Sequence, residues 1–211
     1  MAKFPESPGA DALREIVPRT RILPAQTLLT RIYFAGGPHP SRWNHFRSIG
    51  PSGARWDHHS PTPHGVAVEQ TRAVYYCALD IDTCAAEVFQ RTRRIDRTRA
   101  APALVVLALR EAITLLDLRG TFATAIGAST AIHSGPRSRA RAWARDLYEA
   151  YPDIQGLYYG SSMNGHSPAI ALNERARQAM PEQPRIHRAL NDDLLVEILQ
   201  KIAVRLSYGL R

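Results

Sequence analysis

The middle of the chain consists of short, β-rich apolar segments, and this pattern constrains the fold more than any other feature. Residues 73–79, 103–109 and 113–118 are each too short for a long helix and are typical of buried strands. Residues 27–34, 154–159 and 169–172 are further strand candidates. Because strands dominate the middle and helices gather at the end, the sequence predicts an α+β domain with a mostly antiparallel sheet flanked by helices.

Helical periodicity is restricted to a few segments. A helix is predicted up to Phe89, with Asp80 or Asp82 as its N-cap, and others over residues 122–126 and 138–151. A final amphipathic helix is predicted from a cap at Asn191 to Leu206. No Gly-x-Gly-x-x-Gly follows a strand, which argues against a Rossmann type of dinucleotide site.

The remaining segments set the expected domain limits. Residues 1–25 are Pro-rich and are predicted to form an N-terminal arm, with one domain over residues 26–211. Residues 36–72 are predicted to be a long irregular connection, and such connections often bind ligands. No apolar run approaches the roughly 20 residues of a membrane-spanning helix, and the first residues contain no secretory signal. We therefore expect no membrane association.

The composition indicates a reducing compartment and a basic surface. Cys77 and Cys84 form no Cys-x-x-Cys pair and are expected to be buried thiols, so the cytoplasm is the expected location. The net charge is +8, and of 27 basic residues only Lys3 and Lys201 are lysines. So many arginines are consistent with binding of a phosphorylated substrate or an acidic protein partner. They are equally consistent with general affinity for nucleic acid. A nucleic-acid-binding module is kept as an alternative, although no DNA or RNA motif is present and direct binding is not expected.

Three short segments of the chain, each with the pattern of a strand followed by a turn, contain a polar residue that could carry chemistry. Arg31 lies inside an apolar strand, where an unpaired guanidinium is costly, so it either forms a structural salt bridge or binds an anion. Glu87 lies between Ala86 and Val88 on an otherwise apolar helix face, although a solvated glutamate is the ordinary alternative. Ser161 follows an apolar strand in a glycine-flanked turn, where a plain turn serine is also common.

A fourth segment, Gly53-Ala54-Arg55-Trp56-Asp57, lies between those that contain Arg31 and Glu87. Together, the order and context of Arg31, Arg55, Glu87 and Ser161 resemble the RES family, toxins of bacterial toxin–antitoxin pairs that consume NAD. The resemblance runs from about residue 31 to residue 172. It implies a split antiparallel sheet like that of ADP-ribosyltransferases. It also implies NAD as the substrate and, as partner, a cognate antitoxin that is usually an Xre-like helix-turn-helix protein.

The resemblance also implies roles for individual residues. Glu87 would act on the ribose, because a carboxylate stabilises the oxocarbenium-like transition state of glycosidic cleavage. Arg31 and Arg55 would bind phosphate or ribose oxygens. Tyr76, eleven residues before Glu87, would stack on the nicotinamide or bind the ribose, and otherwise it is a core tyrosine. Ser161 would hydrogen-bond the substrate.

Several alternatives stay open at this stage. Ser162 competes with Ser161 for the serine role, and Tyr33 shares a strand face with Arg31 and is a further substrate-binding candidate. The acceptor of the ADP-ribosyl group is water, inorganic phosphate or a protein side chain, and the last would make the protein an ADP-ribosyltransferase. A metal cluster at Asp57, His58, His59 and His64 matches no helical His-x-x-x-His pair, so no metal is expected.

Overall fold

The computed structural model describes residues 4–211 as a curled sheet with helices packed on it. The strands are β1 (Thr20–Leu23), β2 (Leu28–Phe34), β3 (Arg47–Gly50), β4 (Val68–Ala78), β5 (Arg94–Ile95), β6 (Pro102–Ala108), β7 (Ile113–Asp117), β8 (Gly156–Gly160), β9 (Pro168–Asn173), β10 (Ile186–Ala189) and β11 (Gly209–Leu210). The α-helices are α1 (Ala10–Arg14), α2 (Ile81–Val88), α3 (Phe122–Ala125), α4 (Arg137–Ala150) and α5 (Val196–Leu206). The predicted α+β class is confirmed.

The main sheet runs in the order β1-β7-β8-β9-β4-β2-β6-β10, with β3 paired to β4 beside this path. All of its neighbours are antiparallel except β7 and β8. Strands β4 and β2 are paired at a single position among the described residues, where Thr30 lies opposite Ala78. We call this position the join. On either side, β2 pairs with β6 along its whole length and β4 pairs with β9 over residues 74–78. The sheet therefore divides into two halves at this join.

Buried side chains fill the space on both faces of the sheet. On one face, α4 packs its apolar stripe, including Trp143 and Leu147, with Phe122 against the half that contains β7 to β4. On the same face, α2 and α5 cover β2 and β6, and they share a core with Ile32. The opposite face is filled around Tyr75. Helix α2 thus lies beside the join between the two halves of the sheet.

The structure confirms most predicted elements, decides between the two predicted N-caps of α2 and corrects two details. Asp80 is the N-cap of α2, because its carboxylate accepts a hydrogen bond from the Thr83 amide at 2.6 Å. Residues 36–72 contain β3 and the first part of β4, which begins at Val68 and not at residue 73. The prediction of an Asn191 cap is wrong. Asp192 caps a short 3-10 turn that leads into α5.

The first part of β4 escaped prediction because Val68–Arg72 are mostly exposed and polar, and they pair only with the short strand β3. Residues 1–25 contribute α1, which packs on α4, and β1, which pairs with β7 at the edge of the sheet. Within residues 4–211, no helix combines the length and apolar character needed to cross a membrane.

Candidate active site

A cavity of about 280 Å³ opens where the two halves of the sheet part. Its walls come from β2, β4, α2, the loop that carries Arg55, and the segment before α4. The lining residues include Ile32, Arg55, Trp56, Tyr76, Thr83, Glu87, Gln90, His133, Arg137, Tyr159 and Ser162. The volume is near the lower end of the range for small-molecule sites, which suits part of a dinucleotide.

Glu87 lies in the last turn of α2 and is held by Ser161. The Ser161 hydroxyl donates to Glu87 Oε1 at 2.5 Å. The same Oγ accepts hydrogen bonds from the backbone amides of Met163 and Asn164, each at 3.1 Å. A serine hydroxyl has one hydrogen and two lone pairs, so all of its hydrogen-bonding capacity is used. Ser161 is only 1% exposed and orients Glu87, whereas Ser162 lines the cavity.

The serine turn is also tied to the start of α2. The Asn164 side chain donates to Thr83 Oγ1 at 3.0 Å, and the Thr83 hydroxyl donates to the capping carboxylate of Asp80 at 2.9 Å. At the other end of α2, Gln90 donates to the Glu87 carbonyl oxygen at 2.7 Å and accepts from Arg137 at 2.9 Å. The helix that carries Glu87 is therefore fixed at both ends.

Arg55 also lines the cavity. Its Nη1 donates to the carbonyl oxygens of Gly135 at 2.7 Å and Ile132 at 3.3 Å. Burial and the nearby charge of Arg137 lower the pKa of Arg55 from its ordinary value, and the proximity of Glu87 opposes this shift. The structure therefore brings Arg55 and Glu87 to one cavity, and no ion pair of residues 4–211 joins them.

The loop that carries Arg55 is organised by the buried carboxylate of Asp57. Its oxygens accept from the Ser52 and His59 amides and from the side chains of Ser52, His59 and Arg47. Burial alone raises the pKa of Asp57, but hydrogen bonds from His59 and Ser52 and the charge of Arg47 lower it well below its usual range. His58 instead contacts Glu174 at 3.5 Å. Asp57 and His59 therefore bond each other, whereas His58 turns to Glu174.

Tyr76 lies on the face of β4 that lines the cavity, and Tyr75 lies on the opposite face. The Tyr76 hydroxyl is buried and makes no hydrogen bond of good geometry among the described residues. Burial raises the pKa of Tyr76 well above its ordinary value. Burial also raises the pKa of Tyr159, which lines the same cavity, and the negative charge of the nearby Glu87 raises it further. Both phenols are neutral at physiological pH.

The structure does not bring Arg31 and Tyr33 to this cavity. Successive side chains of a strand point to opposite faces, so Ile32 lines the cavity while Arg31 and Tyr33 lie on the other side of β2. The Arg31 guanidinium stacks 4.1 Å from the Tyr75 ring centre and contacts Ser41 at 3.5 Å. The Tyr33 hydroxyl is 2.6 Å from His187 Nε2. No ion pair of residues 4–211 includes Arg31, so the alternative of a structural salt bridge is also not observed.

Three residues of the cavity were not singled out from the sequence. Trp56 was noted only as the neighbour of Arg55, Tyr159 only as part of the segment that contains Ser161, and His133 not at all. Trp56 packs on Tyr159 with ring centres 5.2 Å apart and on His133 at 6.3 Å. His133 lies in a short 3-10 turn between α3 and α4, where no local motif marks it. The tertiary fold brings these residues together.

Comparison with known proteins identifies the family. No curated protein matches the sequence closely enough to be counted as a relative. Among solved structures, the fold is similar to a chain of the M. tuberculosis MbcT–MbcA toxin–antitoxin complex, with a TM-score of 0.54 and 16% sequence identity. That similarity covers 83% of this chain and 90% of the other. The RES domain profile matches residues 21–193, most of the sequence, and the chain therefore belongs to the RES family.

Proposed function

We propose that this protein is the toxin of a toxin–antitoxin pair and that it consumes NAD by cleaving the bond between nicotinamide and ribose. The observation that carries the proposal is the Glu87 carboxylate, held by Ser161 at 2.5 Å and placed on the wall of a largely apolar cavity. Family membership and the similarity in fold to a toxin–antitoxin complex support it.

The geometry suits a reaction that develops positive charge. When the C1′–N bond breaks, its electron pair moves to the nicotinamide nitrogen and the ribose becomes oxocarbenium-like. A fixed carboxylate beside the ribose stabilises that charge without reorganisation. Among the described residues, Glu87 Oε2 makes no hydrogen bond, so it is free to face the ribose while Oε1 is held by Ser161. With water as acceptor, the products are ADP-ribose, nicotinamide and a proton.

The other residues of the cavity have complementary roles in this proposal. Arg55 supplies a guanidinium that binds phosphate or ribose oxygens, and its attachment to the Gly135 and Ile132 carbonyl oxygens limits its movement. Tyr76 offers a ring that packs against the nicotinamide, or a hydroxyl for the ribose. NAD acts as substrate and no metal takes part.

The test is product analysis with purified protein. Incubation with NAD labelled in the adenylate portion should release free nicotinamide and move the label into a small product. Glu87→Gln should lower the turnover at least ~10²-fold with little change in stability, because it removes the charge and keeps the shape. Glu111→Gln changes an exposed glutamate and is the matched control. Equal turnover by wild type and Glu87→Gln would refute the assignment.

The same experiment distinguishes the acceptors. Label in free ADP-ribose identifies water, and label in ADP-ribose 1″-phosphate that depends on added phosphate identifies phosphorolysis. Label retained on protein identifies an ADP-ribosyltransferase. NAD should also raise the melting temperature of Glu87→Gln, which binds NAD without consuming it. No thermal shift at millimolar NAD would count against an NAD site in this cavity.

The proposed partner is an Xre-like antitoxin that occludes the cavity in the cytoplasm. The net charge of +8 favours an acidic surface on that partner, because complementary charge speeds association. Expression of the protein alone should stop growth, with intracellular NAD falling before membrane integrity is lost. Co-expression of an adjacent antitoxin gene should restore growth. Unchanged NAD and normal growth during expression of folded protein would contradict the toxin function.

A further inference from the structure

Three of the six buried polar atoms that have no hydrogen-bond partner of good geometry among the described residues belong to residues that line the cavity. They are Trp56 Nε1, His133 Nδ1 and the Tyr76 hydroxyl, the last of which lies near the backbone amide of Trp56. A buried polar atom without a partner costs about 1–3 kcal/mol, so such atoms are uncommon in native proteins. Their concentration around one cavity indicates that a ligand supplies the missing partners.

The chemistry of each atom is fixed by its surroundings. The indole Nε1 of Trp56 carries a hydrogen and can only donate. His133 Nε2 lies 3.0 Å from the carbonyl oxygen of Leu118, which can only accept, so Nε2 carries the hydrogen. Burial and the proximity of His166 lower the pKa of His133 to about 4. His133 is therefore neutral near pH 7, and Nδ1 presents a lone pair that accepts a hydrogen bond.

The donor and the acceptor are neighbours. The Trp56 and His133 rings are 6.3 Å apart between centres and inclined by 66°. A carboxamide carries one acceptor oxygen and one donor NH₂ on the same carbon, which matches an N–H donor beside a lone-pair acceptor. The Tyr76 hydroxyl is left for a second group of the ligand, such as a ribose hydroxyl.

We propose that Trp56 and His133 form the carboxamide subsite of this cavity. Trp56 Nε1 donates to the carboxamide oxygen, and His133 Nδ1 accepts from the carboxamide NH₂. This inference rests on the proposed function, since it takes the nicotinamide end of NAD as the ligand. Both atoms are shielded from water in the free protein, so binding has to open the wall between them slightly.

The subsite implies selection against an acid at this position. Nicotinic acid adenine dinucleotide carries two acceptor oxygens where NAD has an acceptor and a donor. Its carboxylate would face the His133 lone pair without a hydrogen between them. Sites that hydrogen-bond a specific group reject analogues that lack it by large factors. We expect kcat/KM for NAD to exceed that for the acid analogue at least ~10²-fold.

Two substitutions of His133 separate recognition from structure. In His133→Gln, the amide nitrogen reaches the position of Nε2 and keeps the hydrogen bond to Leu118, while the acceptor at Nδ1 is lost. In His133→Asn, the amide oxygen takes the position of Nδ1 and keeps the acceptor. We expect His133→Gln to lose most of the preference for NAD over the acid analogue, and His133→Asn to keep more of it. His39→Gln, an exposed histidine, is the control.

Trp56→Phe provides a test that does not depend on His133. The indole N–H has no partner among the described residues of the free protein, so its removal breaks no hydrogen bond there, and the phenyl ring keeps much of the packing. We expect KM for NAD to rise about tenfold, the equivalent of one hydrogen bond of ~1.4 kcal/mol, with kcat changed less. A loss of stability with no change in KM would indicate a packing role alone.

Binding of free nicotinamide separates this inference from the proposed function. Calorimetric titration of wild type should show that nicotinamide binds and nicotinic acid does not, and that His133→Gln removes the difference. If NAD is not cleaved but this selectivity is observed, the subsite stands and the proposed reaction fails. If NAD is cleaved but wild type treats the amide and the acid alike, or His133→Gln and His133→Asn behave identically, the subsite is wrong.

Discussion

Two depressions lie on opposite sides of strand β2, and they differ in size and charge. The cavity on the Ile32 side is about 280 Å³, mostly apolar, and contains Glu87. The cleft on the Tyr33 side is about 1060 Å³ and more open, and among the described residues it is lined by Arg42, His45 and Arg177 without any carboxylate. The first suits a cation that develops in a transition state, and the second suits an anion that is already present.

The comparison shows how one strand serves two environments. Arg31 and Ile32 are neighbours in the chain, yet they belong to different sides of the sheet. The positive character of the cleft is evident at His45, where burial and the charges of Arg31 and Arg177 lower the pKa. In this arrangement Arg55 and Arg137 share the cavity with Glu87, and Arg31 does not.

The largest effect is expected from Asp57, whose carboxylate organises the loop of the smaller cavity and ties it to Arg47 of β3. Asp57→Asn replaces a buried charge that has five donors and should cost ~3 kcal/mol. For a domain of this size, that lowers the melting temperature by roughly 6–12 °C. Thermal unfolding measures it, with the exposed Asp153→Asn as control. A change below 2 °C would show that the loop does not depend on this carboxylate.

The same carboxylate predicts a pH dependence. The pKa of Asp57 is depressed in the folded protein, so its contribution to stability is present above the unfolded value of about 4 and is lost as the pH falls below it. The free energy of unfolding of wild type should therefore fall more steeply below pH 4 than that of Asp57→Asn. Parallel curves for the two proteins would contradict this linkage.

The next effect separates the two serines. Ser161→Ala removes the hydrogen bond that orients Glu87 and should lower kcat about 10- to 10²-fold. Ser162→Ala removes a hydroxyl at the cavity surface and should change kcat less than Ser161→Ala does. Steady-state nicotinamide release by both variants measures this. The reverse order would make Ser162 the residue that Glu87 depends on.

A smaller effect is expected for Arg55→Lys. The substitution keeps the charge but loses the planar guanidinium that reaches two carbonyl oxygens and a ligand together. We expect kcat/KM for NAD to fall about tenfold. Arg42→Lys, made in the cleft on the other side, is the matched control and should leave kcat/KM within about threefold.

The smallest effect is expected for Arg31→Lys. Loss of guanidinium stacking on Tyr75 should cost ~1 kcal/mol and lower the melting temperature by roughly 2–4 °C. The rate of nicotinamide release should change little. A large loss of NAD affinity at unchanged melting temperature would instead support the sequence-based role of Arg31. The dinucleotide would then have to contact both sides of β2.

The sequence predicted the sheet well wherever the strands are apolar and buried, as at Tyr75 and Tyr76. It failed at Val68–Arg72, because an exposed strand paired to a short neighbour has no apolar pattern. It correctly placed Arg31 and Tyr33 on one strand face. The sequence could not show which face of β2 lies towards Glu87, because β2 has buried residues on both faces.

The candidate site was predictable only in part for a similar reason. Glu87 and Ser161 lie 74 residues apart, and the family resemblance, not local spacing, singled out both. The resemblance predicted that the Ser161 hydroxyl hydrogen-bonds the substrate. In the structure this hydroxyl donates to Glu87 and accepts from two backbone amides. His133 has no local signal, because a neutral histidine between two helices looks like any other loop residue until the fold brings it to Trp56.

Gly160 shows how little sequence variation this region tolerates. A methyl group at residue 160 would lie 2.1 Å from the imidazole of His166, which in turn packs edge-on against His133 with ring centres 4.8 Å apart. The φ angle of Gly160 is not positive, so the requirement for glycine comes from its neighbour and not from backbone strain. Even alanine at this position must displace His166 from His133. Substitution at residue 160 therefore reaches the cavity wall through a side chain six residues away.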